Sequence, residues 1–149
     1  MKKFVFTFLT AFAIITANAQ TIVQKRAYIY NEFVPLDSDC KPGTRKYVAG
    51  AIVFSEAEGV EFISVTTGED VTYNGPVRRK KKEQNGNDVS YIYMFTTEFQ
   101  GYEVPLQMFE VYDLSISSVV PIHIMVMVHS ASTGEYIQGQ SYEGISRIK

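Results

Sequence analysis

The chain has 149 residues, with 14 lysines and arginines, 16 aspartates and glutamates, and a formal net charge of −2. This length excludes a large multidomain enzyme and suffices for one domain with its own hydrophobic core. The mildly acidic balance argues against a general nucleic-acid binder, and a composition with 13% aromatic and 20% charged residues argues against disorder.

Residues 1–19 predict a secretory signal peptide. Two lysines precede an apolar run over residues 4–15, and an Ala-Asn-Ala sequence ends at Ala19. These are the three parts of such a signal, and the run is shorter than the roughly 20 residues that a membrane-spanning helix needs. We expect cleavage after Ala19 and a single soluble domain over residues 20–149, with net charge −4, in the periplasm or outside a bacterial cell. A lipid-anchored protein would carry cysteine where this chain has Gln20.

The remaining chain shows alternating and β-branched runs broken by glycine, proline, asparagine and aspartate, and no sustained helical period. Loops or turns are expected at residues 35–43, at 56–59, at 67–70 and at the Asn-Gly-Pro sequence 74–76. A hairpin is expected around Gly86, and a connection over residues 98–105. Strands are predicted over residues 22–34, 47–54, 60–67, 71–73, 77–82, 89–97, 106–120, 122–128 and 135–142.

About eight or nine strands at intervals of roughly 8–15 residues predict an all-β fold of antiparallel strands. We favour a β-sandwich, Ig-like or jelly-roll-like, because residues 122–128 are apolar on most positions of both faces, as in a central strand between layers. A small barrel is the second choice. The chain has no Gly-x-Trp near its start, which a lipocalin-like barrel is expected to carry, and it has no tryptophan at all.

The most specific motif is a histidine and methionine pattern at alternate positions of one strand: His123, Met125, Met127 and His129. Alternation puts the four side chains on one face. Thioether and imidazole groups are ligands that suit copper, above all Cu(I), so these residues form the candidate metal site. The histidines lie about 20 Å apart at the strand rise, so one ion cannot use both. The simpler interpretation is that the methionines fill space and the histidines mark the strand ends.

A run of five bases is the second feature: Arg78, Arg79, Lys80, Lys81 and Lys82. As a functional site it would contact an anionic partner, such as lipid headgroups, lipopolysaccharide, an acidic protein or, less in keeping with the net charge of −4, nucleic acid. The alternative is an edge strand that its charges protect from pairing with other chains. Five consecutive bases project to both faces of a strand, so at least one face is expected to be in water.

No catalytic constellation is found. The sequence from Gly139 to Gly144 nearly matches a nucleophile elbow, but Glu143 occupies a position that requires glycine. The single cysteine, Cys40, excludes an internal disulfide and lies in a loop beside acidic residues, where we expect an incidental thiol. The tyrosines on predicted strands are as expected for a half-exposed sheet.

These observations predict a non-enzymatic binding or interaction domain of the bacterial cell envelope or the extracellular space. Its partner is expected to be a protein or a glycan, with no cofactor, no nucleic acid and no transmembrane segment. Two alternatives remain open: a periplasmic copper-binding protein that uses the histidine and methionine face, and a small hydrolase whose site the sequence does not mark.

Overall fold

The structure, a computed structural model, describes residues 21–148. The expected signal peptide and its cleavage site lie outside this range. The described chain forms ten strands and contains no helix long and apolar enough to cross a membrane. The strands are β1 (Val23–Tyr30), β2 (Glu32–Leu36), β3 (Gly50–Ala57), β4 (Val60–Thr67), β5 (Asp70–Asn85), β6 (Asp88–Phe99), β7 (Tyr102–Asp113), β8 (His123–His129), β9 (Tyr136–Glu143) and β10 (Ser146–Ile148).

The strands pair antiparallel in one sheet, in the order β10-β1-β3-β4-β5-β6-β7-β8-β9-β2. The strands of the middle of the sheet follow one another in the chain, and short turns join β3 to β4, β5 to β6 and β6 to β7. The sheet curls as a half-barrel, so that side chains from both of its ends meet in one core. The buried core consists of Tyr28, Tyr30, Phe33, Ile52, Phe54, Ile63, Val65, Tyr93, Phe95, Leu106, Met108, Ile124, Val126 and Tyr142.

The all-β antiparallel prediction is confirmed, with ten strands where about eight or nine were expected. The strands belong to one curled sheet, and the two separate sheets of a sandwich are not seen among the described residues. The arrangement is closer to the small barrel that was the second choice. Sequence periodicity could not separate the two, because both architectures alternate inward apolar and outward polar side chains.

Strand β5 is the main departure from the predicted elements. Its 16 residues run through the Asn-Gly-Pro sequence at which we expected a turn. Up to Pro76 the strand pairs with β4, and from Val77 onward it pairs with β6. A Cβ atom at Gly75 would lie 1.5 Å from the carbonyl oxygen of Thr96, so only glycine allows β5 to pass this close to β6. The Asn-Gly-Pro sequence therefore marks the point at which β5 changes its pairing partner from β4 to β6, and it does not form a turn.

The connection expected over residues 98–105 was also wrong. Strand β6 continues to Phe99, and β7 begins at Tyr102 after a two-residue turn at Gln100 and Gly101, both of which have positive φ. Strand β7 ends at Asp113, earlier than the stretch predicted over residues 106–120. The segment from residue 114 to 122 is consequently a loop, and it borders the site described below.

Candidate functional site

The methionines of the candidate metal site lie on the outer face of β8. Ile124 and Val126 point into the core and are fully buried, whereas Met125 and Met127 are partly exposed on the opposite face. The predicted alternation is therefore present. Met125 lines a shallow depression together with Arg45 of the loop after β2.

The two histidines lie at opposite ends of β8, and each is held by its own surroundings. His129 Nδ1 lies 3.1 Å from the carbonyl oxygen of Gly134, and its ring packs edge-on against Tyr136 with 6.1 Å between centroids. Burial lowers the pKa of His123, an effect that Glu143 opposes. Within residues 21–148 no group of three or more histidine, cysteine, aspartate or glutamate side chains is placed to hold a metal ion. The four predicted residues share a face, but the structure does not gather them at one point.

The basic run lies on the part of β5 that has left β4. From Val77 onward β5 pairs with β6 and no longer with β4, as expected for a partly free edge. Four of the five basic side chains contact a nearby acid or aromatic ring, which supports the edge-protection interpretation. The contacts are Arg78 with Glu103 at 3.1 Å, Lys80 with Glu61 at 2.8 Å, Lys81 with Glu83 at 2.8 Å, and Lys82 at 5.7 Å from the centroid of the Tyr91 ring.

Cys40 is exposed, has a φ of 60°, and lies in the loop after β2 as expected. Its thiol is beside the hydroxyl group of Tyr136. Burial, followed by the effect of Cys40, raises the pKa of Tyr136 to about 12.

A further concavity on the described chain was not predicted. It is an open cavity of about 720 Å³ at the end of the curled sheet where β6 begins and β7 ends. Small-molecule sites commonly have volumes of roughly 300–1,000 Å³. The cavity has a polar floor inside the sheet and an apolar rim supplied by the loop from residue 114 to 119.

An ion pair forms the floor of the cavity. Glu110 of β7 follows Leu106 and Met108 on the inward face and is 1% exposed. The Arg26 guanidinium of β1 donates a hydrogen bond from Nη2 to Glu110 Oε1 at 2.6 Å. The guanidinium also stacks on Phe54, with Cζ 3.7 Å from the ring centroid. Burial alone would lower the pKa of Arg26, but the charge and hydrogen bond of Glu110 outweigh it and raise that pKa. Arg26 therefore stays charged.

Three tyrosine hydroxyl groups extend this pair into a network. Arg26 Nη2 donates to the hydroxyl oxygen of Tyr93 at 2.6 Å, and the Tyr112 hydroxyl donates to Glu110 Oε2 at 3.4 Å. The hydroxyl oxygens of Tyr112 and Tyr28 lie 3.3 Å apart. Burial raises the pKa of Tyr93 and of Tyr112, and the nearby Glu110 carboxylate adds to both shifts. The tyrosines consequently remain neutral donors and acceptors at physiological pH.

The rim of the cavity faces solvent and carries three aliphatic side chains beside Ser117 and Ser118. Leu114, Ile116 and Val119 line it, and each is more than half exposed. Ser115, between the first two, donates through its backbone and its hydroxyl to Asp113 Oδ1 at 2.8 and 2.6 Å, which fixes the start of the loop. Clustered exposed apolar side chains at the entrance of a cavity indicate a surface that an apolar group covers.

Sequence reasoning missed Arg26 and Glu110 because they are 84 residues apart and neither belongs to a motif. The available signal was an acid on the face of β7 that also carries Leu106 and Met108. An inward-facing carboxylate requires a partner, since an isolated buried charge is costly. That signal points to Glu110, but the alternation does not predict which of the chain's bases forms the ion pair with it.

Comparisons with protein-family models, with curated proteins and with solved structures give no match to this chain.

Proposed function

We propose that this chain is an exported, non-enzymatic binding domain of the bacterial envelope or extracellular space, and that it holds a small molecule in the cavity between Arg26 and the loop from residue 114 to 119. The observation that carries the proposal is the combination of an internally paired polar floor with an exposed apolar rim around about 720 Å³. A concave, mostly apolar site with a few fixed polar groups is the usual form of a ligand pocket.

The floor supports binding better than catalysis. Arg26 and Tyr112 already occupy the oxygens of Glu110, so this carboxylate is a poor general base. The two histidines lie on β8 and are not among the residues that line the cavity. The polar groups do converge, which keeps a small hydrolase as an alternative, but nothing in the network provides an activated nucleophile.

We also infer that the curled sheet keeps the walls of the cavity in a fixed arrangement. Strand β1 continues into β2 after Asn31 alone, and β9 continues into β10 across a two-residue bend. Ile29 pairs with Ser146 on one side of Asn31, and Glu32 pairs with Glu143 on the other. The two end strands of the sheet, β2 and β10, therefore directly follow β1 and β9 in the chain, strands that lie near the opposite end of the sheet. This arrangement would hold the cavity walls at a fixed separation.

The direct test is to titrate the purified protein with the neutral fluorescent probe N-phenyl-1-naphthylamine. Binding in the cavity should raise the probe's emission, and Ile116→Ser on the rim should weaken the binding. Ile137→Ser on β9 is the matched control, because Ile137 and Ile116 are similarly exposed, at 47% and 53%. Equal binding by the two variants would place the probe elsewhere and remove the support for the cavity as the site.

Copper binding is a second candidate, favoured by the outward placement of Met125 and Met127. Their face is accessible because Ile124 and Val126 fill the core from the other side of β8. A competition titration with Cu(I) and bicinchoninate would detect such a site. One equivalent of tightly held Cu(I), lost in a Met125→Leu, Met127→Leu variant, would support it, and no stoichiometric uptake by the native protein would eliminate it.

A further inference from the structure

From the chemistry of the floor and the rim, we infer that the cavity takes a neutral amphiphile, a molecule with one hydroxyl or carbonyl head group and an apolar body. The inference rests on the proposed function and adds the class of ligand. The head group would lie on the network of Arg26, Tyr112 and Tyr28, and the body would lie against Leu114, Ile116 and Val119.

The charge balance of the floor selects a neutral head group. Glu110 is bound to Arg26 at 2.6 Å, so the two side chains cancel each other's charge. The other two charged residues of the lining, Arg147 and Asp113, are also one of each sign. A ligand carboxylate on Arg26 would lie beside the Glu110 carboxylate, and like charges repel strongly where water is scarce. An ammonium group would meet the same repulsion from Arg26. A neutral group avoids both.

Hydrogen-bonding capacity remains for such a head group. A guanidinium has five N–H donors, and the hydrogen bonds from Arg26 to Tyr93 and to Glu110 both come from Nη2. The hydroxyl groups of Tyr28 and Tyr112 can each donate or accept, and at 3.3 Å they are only loosely bound to each other. A ligand hydroxyl or carbonyl can therefore be bound without breaking the ion pair.

The rim selects an apolar body over a hydroxyl-rich one. Three aliphatic side chains on one short loop are more than half exposed, so a ligand that covers them removes apolar surface from water. Val89 and the tyrosine rings continue the apolar wall inward to the floor. A sugar would leave the three aliphatic side chains without an apolar partner, and of the two serines beside them Ser118 already donates its hydroxyl to the Val120 carbonyl oxygen. An alkyl chain or a ring system matches the aliphatic surface.

The test is displacement of N-phenyl-1-naphthylamine by three probes: 1-decanol, decanoate and maltose. We expect 1-decanol to bind at least about tenfold more tightly than decanoate, a ratio that corresponds to about 1.4 kcal/mol, and maltose not to compete. The Glu110→Gln variant keeps an acceptor for Arg26 and removes the negative charge. In this variant the preference should fall below about threefold or reverse, because the floor then carries a net positive charge.

The outcomes separate the two levels of the argument. If the dye binds but decanoate competes as well as 1-decanol, or maltose competes and 1-decanol does not, the ligand class is wrong and the proposed function stands. If neither the dye nor any of the three compounds binds the native protein, the proposed function itself falls. If Glu110→Gln does not fold, as judged by circular dichroism, two other measurements test the ligand class. One is the ratio of the 1-decanol and decanoate affinities of the native protein. The other is the effect of Ile116→Ser, which should weaken 1-decanol binding at least about threefold more than Ile137→Ser does.

Discussion

Replacing the two members of the buried ion pair, one at a time and together, tests the central feature of the structure. The variants are Arg26→Met, Glu110→Met and the double substitution, since methionine is similar in length and adapts to irregular space. The free energy of unfolding of each variant, compared with that of the native protein, forms a double-mutant cycle.

The expected magnitudes follow from burial. The side chain of Glu110 is 2% exposed, whereas that of Arg26 is 23% exposed and borders the cavity. Arg26→Met leaves a buried carboxylate without its partner and should cost about 3–5 kcal/mol. Glu110→Met leaves a guanidinium that cavity water can reach, so we expect about 1–3 kcal/mol. The double variant should be within about 1 kcal/mol of the native protein, because it removes both charges and leaves neither unpaired.

Urea unfolding followed by circular dichroism gives these free energies, since the chain has no tryptophan to report on folding. The matched control is the surface pair of Arg78 and Glu103, whose side chains are 57% and 69% exposed and lie 3.1 Å apart. Methionine at either control position should change the unfolding free energy by less than about 1 kcal/mol.

The cycle has a clear negative result. The costs of substitutions at independent sites add to within about 0.5 kcal/mol of unfolding free energy. The costs expected for the buried pair correspond to a coupling of at least about 3 kcal/mol between its two residues. Additive costs would mean that the two side chains do not depend on each other. Equal costs for the two single variants would contradict the argument from burial.

Three other results are expected. Gly75→Ala should destabilise the protein by at least about 2 kcal/mol in urea unfolding, because the new Cβ overlaps the backbone of β6, whereas Gly43→Ala, which meets a side chain at 3.2 Å, should cost less. Folding raises the pKa of Tyr93 and of Tyr112 above 10.0, mainly through burial, so their contribution to stability is complete below that pH and is lost as pH rises above it. The urea concentration at the unfolding midpoint should therefore decrease as pH rises from about 9 to about 11. An unchanged midpoint would contradict the assigned burial. N-terminal sequencing of the protein secreted from a bacterial host should start at Gln20, and an intact N-terminus would refute the predicted signal peptide.

Alternation along single strands was readable from the sequence, and contacts between distant strands were not. The period of two puts Val89, Tyr91, Tyr93 and Phe95 on one face of β6, and all of them except Tyr91 are buried. Tyr91 is 38% exposed at the open cavity, and Ile92 of the other face is also buried. The crossing at Gly75 was misread because a tight turn and a close strand approach both need a residue without a side chain. The pairing of β1 with β10 depends on how the whole sheet curls, which local propensity does not encode.

The distribution of charge shows why the most conspicuous motif and the candidate site differ. Bases crowded on one strand repel one another, so they are stable where water and nearby acids surround them, as Lys80 and Lys81 are on β5. A charge inside a sheet has no such surroundings and needs one specific partner, which Glu110 provides to Arg26. A charge that folding has fixed in a cavity can recognise a ligand by geometry, whereas a solvated run attracts anions with little selectivity. Selective binding in this chain is therefore expected at Arg26, a base that no sequence motif marks.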